Sequence, residues 1–192
     1  EARAAPDINF GKLREPLLRL TAIWRAFGIS PTANGLYGVV APERAFVQRP
    51  LGAPSVFNFY EPDFQQAGEI QAANLFSPEF QIFDESTSIS ASDELWRRIF
   101  AGYSTPGTGA MTFTTPITSA YLPPDIIDGL PDSNDKLLDE LDTRLMSGQM
   151  SANMKSKLLA LMNTAMAATD KRRRALNMIH LIAISPEFAV QR

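Results

Sequence analysis

The sequence predicts a mainly α-helical protein: an irregular helical bundle with long loops rich in proline and glycine, and at most one short β-hairpin. Two observations support this fold class. Apolar residues recur at helical spacing in several segments that begin at a capping residue or end at a glycine. Between these segments, many of the 14 prolines and 11 glycines gather in stretches that do not favour long regular elements.

Length and composition set the class of protein. The 192 residues are 45% hydrophobic and 20% charged, a normal balance for one globular domain. A net charge of -3 gives no general attraction to phosphate backbones, which would need lysine and arginine clustered on one face, so nucleic acid is an unexpected partner. The longest apolar run is far shorter than the roughly 18 to 20 residues that cross a bilayer, so we expect no membrane span. The absence of cysteine excludes disulfides and thiolate zinc sites.

The first predicted helix begins near Lys12, with Asn9 as its candidate cap, and ends at Gly28. Its apolar stripe consists of Leu17, Leu20, Ile23, Trp24 and Phe27. We interpret the basic residues beside this stripe as a solvated face, with contact to an acidic partner or substrate as the alternative. These residues are Lys12, Arg14, Arg19 and Arg25.

The segment Gln48–Asp84 is the most distinctive part of the chain because it is dense in proline, aromatic residues and turn formers. Aromatic residues dominate protein cores and interfaces alike. We therefore interpret its cluster first as core packing, with an exposed aromatic platform as the alternative. The cluster consists of Val56, Phe57, Phe59 and Tyr60. A short helix is predicted over Glu69–Leu75.

A second long helix is predicted from Pro78 to Phe100 or Tyr103, because Ser77 supplies a cap and Pro78 suits the first helical position. The serine-rich middle of this helix makes a break near Ser90–Ser92 the alternative. The connection that follows, rich in glycine, proline and β-formers, is the place for the one hairpin, with Met111–Thr114 against Ile117–Ala120.

The last third of the chain predicts three successive amphipathic helices that begin at Ser133, Ser151 and Asp170. We therefore divide the single helical domain, 1–192, into a helix and loop region, 1–130, and a three-helix C-terminal bundle, 131–192. The basic run Lys171–Arg174 opposes the dipole of the third helix and predicts an acidic neighbour. The candidates are Asp139, Glu140 and Asp142.

No set of residues identifies a reaction. A serine triad needs a histidine base, and the one histidine, His180, lies among apolar residues that indicate a hydrogen-bonded core position. The acids from Asp125 to Asp135 lack the order of a calcium loop. We predict no metal and no cofactor, and the catalytic residues stay unassigned. A carboxylate pair for glycoside hydrolysis is permitted by the acids near the aromatic residues: Glu61, Asp63, Glu69, Glu79, Asp84 and Glu85.

Four stretches carry a resemblance to a known family: KLREPLLRLTAIWRAFG, QRPLGAPSVFNFYEPDF, AANLFSPEFQIFDESTSI and ISPEFAVQR. In order and spacing they resemble the C-terminal half of the bacterial family called domain of unknown function 1800, from Lys12 to Arg192. The resemblance implies the C-terminal part of a longer, mostly helical, exported bacterial protein, with a periplasmic or secreted location. It transfers no catalytic residue.

The leading hypothesis is a binding or assembly domain whose partner is another protein or the N-terminal half of its own chain. Its surface would be Gln48–Asp84, which requires exposed aromatic atoms there. The candidate binding residues are Phe57, Phe59, Tyr60, Glu61, Asp63 and Phe64. The alternative is an extracellular hydrolase of polysaccharide or a related polymer, with paired carboxylates and substrate stacking on Tyr60 or Trp96. A third possibility is a fragment that merely completes a larger helical fold.

Overall fold

The protein is described by a computed structural model that covers residues 11–31, 41–104, 110–114 and 120–191. Its helices are α1 (Pro16–Phe27), α2 (Glu43–Phe46), α3 (Glu69–Ala72), α4 (Glu85–Ile99), α5 (Pro124–Asp128), α6 (Asn134–Leu141), α7 (Ala152–Asn163), α8 (Lys171–Ala183) and α9 (Pro186–Ala189). Its strands are β1 (Lys12–Leu13), β2 (Tyr103–Ser104), β3 (Thr112–Phe113) and β4 (Val190–Gln191). The predicted mainly α-helical fold class is confirmed. The proposed cap Asn9 lies outside the described residues.

One hydrophobic cluster connects the two halves of the chain. Helices α1, α4, α6 and α8 each contribute an apolar face, because their buried residues recur three or four positions apart. Among the fully buried side chains are Leu20, Ile23, Leu95, Ile99, Leu138, Leu141, Leu176 and Ile179. The cluster crosses residue 130, so the two predicted sub-regions share a core, and their separation stays a prediction.

The two strand pairs are antiparallel. Strand β1 pairs with β4, with Leu13 opposite Val190, and brings the two ends of the described chain together. Strand β2 pairs with β3, with Tyr103 opposite Phe113. The segment predicted to form a hairpin therefore pairs with upstream residues. Of its predicted downstream partner, residues 117–119 lie outside the described part of the chain.

The prediction of one long helix from Pro78 was wrong. Ser77 makes no side-chain cap, and Pro78–Gln81 forms a single 3₁₀ turn. Asp84 begins α4 instead, because its Oδ1 accepts a hydrogen bond of 2.7 Å from the Thr87 N–H. The alternative break within the serine-rich stretch was also wrong, since α4 continues through it to Ile99. There the Ser90 hydroxyl donates to the Ala45 carbonyl at 2.9 Å.

The C-terminal helices follow their predicted signals more closely. Ser151 and Asp170 cap α7 and α8 by accepting hydrogen bonds from backbone N–H groups three residues later. Ser133 precedes α6 without a side-chain cap, and α6 continues into a π-helical turn at Asp142–Met146. Gly148, with a φ of 76°, follows that turn as expected of a glycine that ends a helix. The inward residues of the first helix, Leu137, Leu138, Leu141 and Leu145, are all buried.

The basic run at the start of α8 has acidic neighbours, but not the predicted ones. Lys171 Nζ lies 2.9 Å from the Asp132 carboxylate, and Arg172 Nε donates to Asp128 Oδ1 at 2.8 Å. The expected acids pair elsewhere, Asp139 with Lys155 and Glu140 with Arg144. The pairing partners come from the loop around α5, which periodicity alone does not place beside α8.

Arg19 also departs from its predicted position. The solvated face expected of the basic residues of α1 holds for Arg25, which is exposed, but Arg19 is only 4% exposed. Its guanidinium carbon lies 4.2 Å from the centre of the Phe83 ring. The helix therefore buries a cation on the side where the sequence indicated solvent. Within the described ranges, no helix combines the length and apolar character that crossing a membrane requires.

Candidate functional site

Residues 47–81 have an inverted pattern of burial, and we call them the inverted segment. Its buried side chains are polar: Gln48 and Glu79, each 2% exposed, and Ser77, 7% exposed. No apolar residue of the segment is buried. Its large exposed apolar side chains, with their exposed fractions, are Val47 at 45%, Leu51 at 108%, Val56 at 95%, Phe57 at 65% and Phe76 at 65%. Folded chains ordinarily bury the apolar groups and expose the polar ones.

A hydrogen-bond network on Glu15 attaches this segment to the start of α1. Gln48 Nε2 donates to one carboxylate oxygen of Glu15 at 2.6 Å, and the Tyr60 hydroxyl donates to the other at 2.8 Å. Gln48 Oε1 in turn accepts from the Leu17 N–H at 3.3 Å. Helix α1 has no side-chain cap at its own first position, so Gln48 satisfies one of its free N–H groups.

The second attachment lies at the end of the segment. The Ser77 N–H donates to the Phe64 carbonyl and the Ser77 hydroxyl accepts from the Gln66 N–H, both at 2.8 Å. The Glu79 carboxylate lies 3.1 Å from Lys12 Nζ, which joins the segment to β1. Polar groups thus hold the segment in place where an apolar core would hold an ordinary loop.

A cavity of about 570 Å³ opens between these attachments. Its wall includes Lys12, Tyr60, Pro62, Ile70, Phe76 and Glu79. Burial, and secondly the hydrogen bond to Glu15, raise the pKa of Tyr60 above its usual value. The hydroxyl therefore stays protonated as the donor to Glu15. The cavity combines apolar walls with a few polar groups, a composition typical of binding sites.

The backbone of the segment includes several left-handed residues. Val47, Leu51, Asn58 and Asn74 have φ angles of 56°, 55°, 73° and 54°. Asparagine adopts this conformation at little cost, but valine and leucine are disfavoured there. At Val47 and Leu51 the backbone turn and the exposed apolar side chain occur at the same residue. Such strain is often found at functional sites.

A family model described as "Protein of unknown function (DUF1800)" matches residues 1–190. The chain belongs to the DUF1800 family. The resemblance to that family is therefore confirmed. Comparisons with curated proteins and with solved structures found no match for this DUF1800 chain.

The six predicted binding residues of this DUF1800 chain differ in how far they are exposed to solvent. Phe57, Glu61 and Asp63 are exposed, whereas Phe59, Tyr60 and Phe64 are half-buried. Tyr60 is the one of these six that lines the cavity. The first interpretation of the aromatic cluster, core packing, was wrong for Val56 and Phe57. Binding by the six residues stays a prediction.

Sequence reasoning missed other parts of the site. Leu51 and Phe76 are exposed apolar residues within the predicted surface that were not named as binding residues, and Glu15 and Gln48 organise the network. Phe76 precedes the predicted cap residue Ser77, in a motif that recurs at Ile184–Phe188. The similar motif around Ser185 does form a cap, with Phe188 buried, but around Ser77 it does not. Ile184, which precedes the cap that does form, is also exposed, at 37%, so exposure of the apolar residue at this position does not depend on the cap.

The candidate acids do not form an identified catalytic pair in this DUF1800 chain. Asp84 caps α4, Glu79 lies beside Lys12, and the remaining candidates, Glu61, Asp63, Glu69 and Glu85, are exposed. No group of three or more potential metal ligands occurs among the described residues. The hydrolase hypothesis therefore stays a prediction without residues assigned to it.

Trp96 and His180 are the aromatic and histidine residues that the sequence raised as candidates for a chemical role. Trp96 is 50% exposed and stacks on Phe100 with ring centres 5.0 Å apart. His180 is half-buried, and its Nδ1 is buried without a hydrogen-bond partner in the described structure, so the expected hydrogen bond is absent at this atom. Burial lowers the pKa of His180. The neutral imidazole is therefore favoured.

Proposed function

We propose that this DUF1800 chain is a binding and assembly domain that uses the exposed apolar residues of the inverted segment to contact protein. The observation that supports this proposal is the inverted pattern of burial itself. Exposed apolar residues scattered singly are normal, but here they concentrate in one segment beside a cavity.

The energetics favour contact through a few anchoring side chains. Fully burying a side chain such as Val56 or Phe57 stabilises an interface by about 1.5–3 kcal/mol. Interfaces commonly depend on a few such anchors together with pockets that receive anchors from the partner. The network on Glu15 holds the segment in one conformation before binding, which lowers the entropic cost of association.

The proposed partner is another protein or the N-terminal half of the same protein. A periplasmic or secreted setting belongs to the proposal and rests on what the family resemblance implies. In either case the contact surface is mainly apolar, with Glu61 and Asp63 as exposed acidic residues within the segment.

Photo-crosslinking in the native organism tests this function. A benzophenone amino acid replaces Phe57 in the complete protein, and matched controls carry the same group at Ile89 or Trp96, which are exposed outside the segment. We expect a discrete protein adduct, or an intramolecular crosslink, from position 57 and a weaker one from both controls. Cell fractionation before the gel shows in which compartment the product forms.

Equal crosslinking at all three positions would contradict the proposal, because it would indicate chance encounters. A second set of variants checks the role of the apolar groups. Combining Leu51→Ser with Val56→Thr beside the crosslinker at position 57 is expected to reduce the specific adduct at least about tenfold, since each lost apolar contact weakens binding. Circular dichroism confirms that the variants remain folded.

A further inference from the structure

Arg19 is a buried cation without an acidic partner among the residues that the structure describes. It is 4% exposed, and its Nε donates to the Arg14 carbonyl at 3.3 Å. Its Nη2 is buried and has no hydrogen-bond partner in the described part of the chain. None of the ion pairs among those residues includes Arg19. Buried charges in proteins are ordinarily paired, because desolvation without compensation is costly.

The surroundings of this guanidinium leave its positive charge without a neutralising anion among the described residues. Burial, and secondly the positive charge of Arg14, lower the pKa of Arg19 to about 10. The guanidinium still carries its charge at neutral pH. The Phe83 ring, 4.2 Å away, offers a cation–π contact but no neutralising charge.

Arg19 lines a second cavity, of about 600 Å³, whose wall shares Leu13, Phe80 and Val190 with the cavity beside the inverted segment. The wall is mainly apolar and includes Leu13, Phe80, Phe83, Ile89, Leu95 and Ile184. Ser88, Ser92 and Asp93 contribute the polar part. Ser88 already donates its hydroxyl to the Glu85 carbonyl, so it is used within its own helix.

We propose that this cavity binds an alkyl carboxylate, with the carboxylate at Arg19 and the alkyl chain along the apolar wall. The cavity has the volume of a small-molecule site, for which about 300–1,000 Å³ is usual. A guanidinium presents two parallel donors that match the oxygens of a carboxylate. The mainly apolar wall favours an alkyl chain over a peptide, whose backbone amides need hydrogen-bond partners.

Asp93 is the acidic residue of the cavity wall, and its carboxylate competes with the carboxylate of the proposed ligand. Its carboxylate forms no ion pair with Arg19 in the structure. As a negative charge in the same cavity it opposes an anionic ligand. Replacing it with asparagine is therefore expected to strengthen carboxylate binding.

Isothermal titration calorimetry of the purified protein with decanoate, kept below its micellar concentration, tests the proposal. Decanol serves as the uncharged control with the same chain. We expect decanoate to bind at least about tenfold more tightly than decanol, since hydrogen bonds to charged groups contribute more than neutral ones. Arg19→Met is expected to abolish this preference, and Arg25→Met, on the exposed side of the same helix, is expected to retain it.

Several results would overturn the proposal. Decanoate that does not bind, that binds no better than decanol, or that binds Arg19→Met as well as the original protein excludes the assigned role of Arg19. Loss of decanoate binding in Asp93→Asn contradicts the competitor role of Asp93. Binding of a Leu-Val-Leu peptide carboxylate without binding of decanoate shows that the cavity takes a chain terminus instead. If Arg19→Met does not fold, Asp93→Asn and the decanol comparison still decide the matter.

Discussion

At the scale of single residues, the inverted segment depends on polar groups that are buried in place of apolar ones. Gln48 is the clearest case, because its one side chain serves both the N–H of Leu17 and the carboxylate of Glu15. The sequence does not indicate this role. A glutamine next to an arginine and a proline has the composition of an ordinary surface loop, and its partners lie about 30 residues upstream.

Replacing Gln48 with leucine is expected to lower the free energy of unfolding by about 1–3 kcal/mol, because a buried N–H and a carboxylate oxygen lose their partners. Leucine has a similar volume, so loss of packing contributes little. Urea denaturation measures the change. Gln71→Leu, at an exposed position of α3, is the matched control and should be nearly neutral. Equal stability of the two variants would show that the network does not hold the segment.

Burial of individual residues is where the sequence-based prediction succeeds least. Helical periodicity correctly placed Leu20, Ile23 and Phe27 inside, but it assigned Arg19 to solvent. A helix in this fold contacts other elements on more than one side: α1 packs against α4 and the π-helical turn Asp142–Met146, and its first turns also reach Gln48 and Phe83. The candidate binding residues were judged from composition alone. Composition located the segment but not which of its side chains face outwards.

At the scale of elements, local signals decided which helices were predicted well. The caps at Ser151 and Asp170 depend on residues three positions apart, so sequence predicts them reliably. Ser77 was the predicted start of the second long helix, whereas Asp84 caps that helix in the structure. Ser77 is engaged by Phe64 and Gln66, which are distant in sequence, and the helix therefore begins at Asp84. The competing tertiary contact was not visible in the local pattern.

The Asp84 cap predicts a pH dependence of α4. The Thr87 N–H, and then the Ser86 hydroxyl, hold the pKa of Asp84 below its ordinary value of 3.8. The charged cap therefore stabilises the folded state above pH 3.8, and this contribution is lost as the pH falls through the lower pKa of the folded protein.

Asp84→Asn keeps a capping side chain but removes the charge, so it isolates this effect. We expect the original protein to be more stable than Asp84→Asn at pH 7, with the difference shrinking below pH 3.8. Chemical denaturation across pH measures it. Asp63→Asn, exposed and outside any cap, is the comparison. A stability difference that stays constant from pH 7 to pH 3 would refute the assignment.

At the scale of the whole molecule, the pairing of β1 with β4 places the two ends of the described chain side by side. The Arg14 N–H donates at 2.6 Å to the carbonyl of Ala189, the residue that lies opposite Arg14 in the ladder. Hydrogen-bonded and non-hydrogen-bonded pairs alternate in an antiparallel ladder, so Leu13 and Val190 form a non-hydrogen-bonded pair. Their side chains share one face and approach closely.

This geometry predicts that an engineered disulfide between positions 13 and 190 can join the two ends. Cα atoms of such a pair lie about 4.5 Å apart, within the range of about 4.4–6.8 Å that a disulfide spans. The natural chain has no cysteine, so Leu13→Cys with Val190→Cys creates one defined bond. Because the bond closes nearly the whole chain into a loop, we expect about 2–4 kcal/mol of added stability, which raises the melting temperature by about 4–16 °C.

The control uses the alternation of side chains along a strand. Lys12→Cys with Val190→Cys places the two thiols on opposite faces of the pair, so this variant should not form the bond. Thermal melts with and without reductant measure the effect, and non-reducing electrophoresis measures bond formation. Equal oxidation of both variants would mean that the register Leu13–Val190 is wrong. Formation of the bond without added stability would mean that the ends separate before the core unfolds, so that the shared core and not strand pairing limits unfolding.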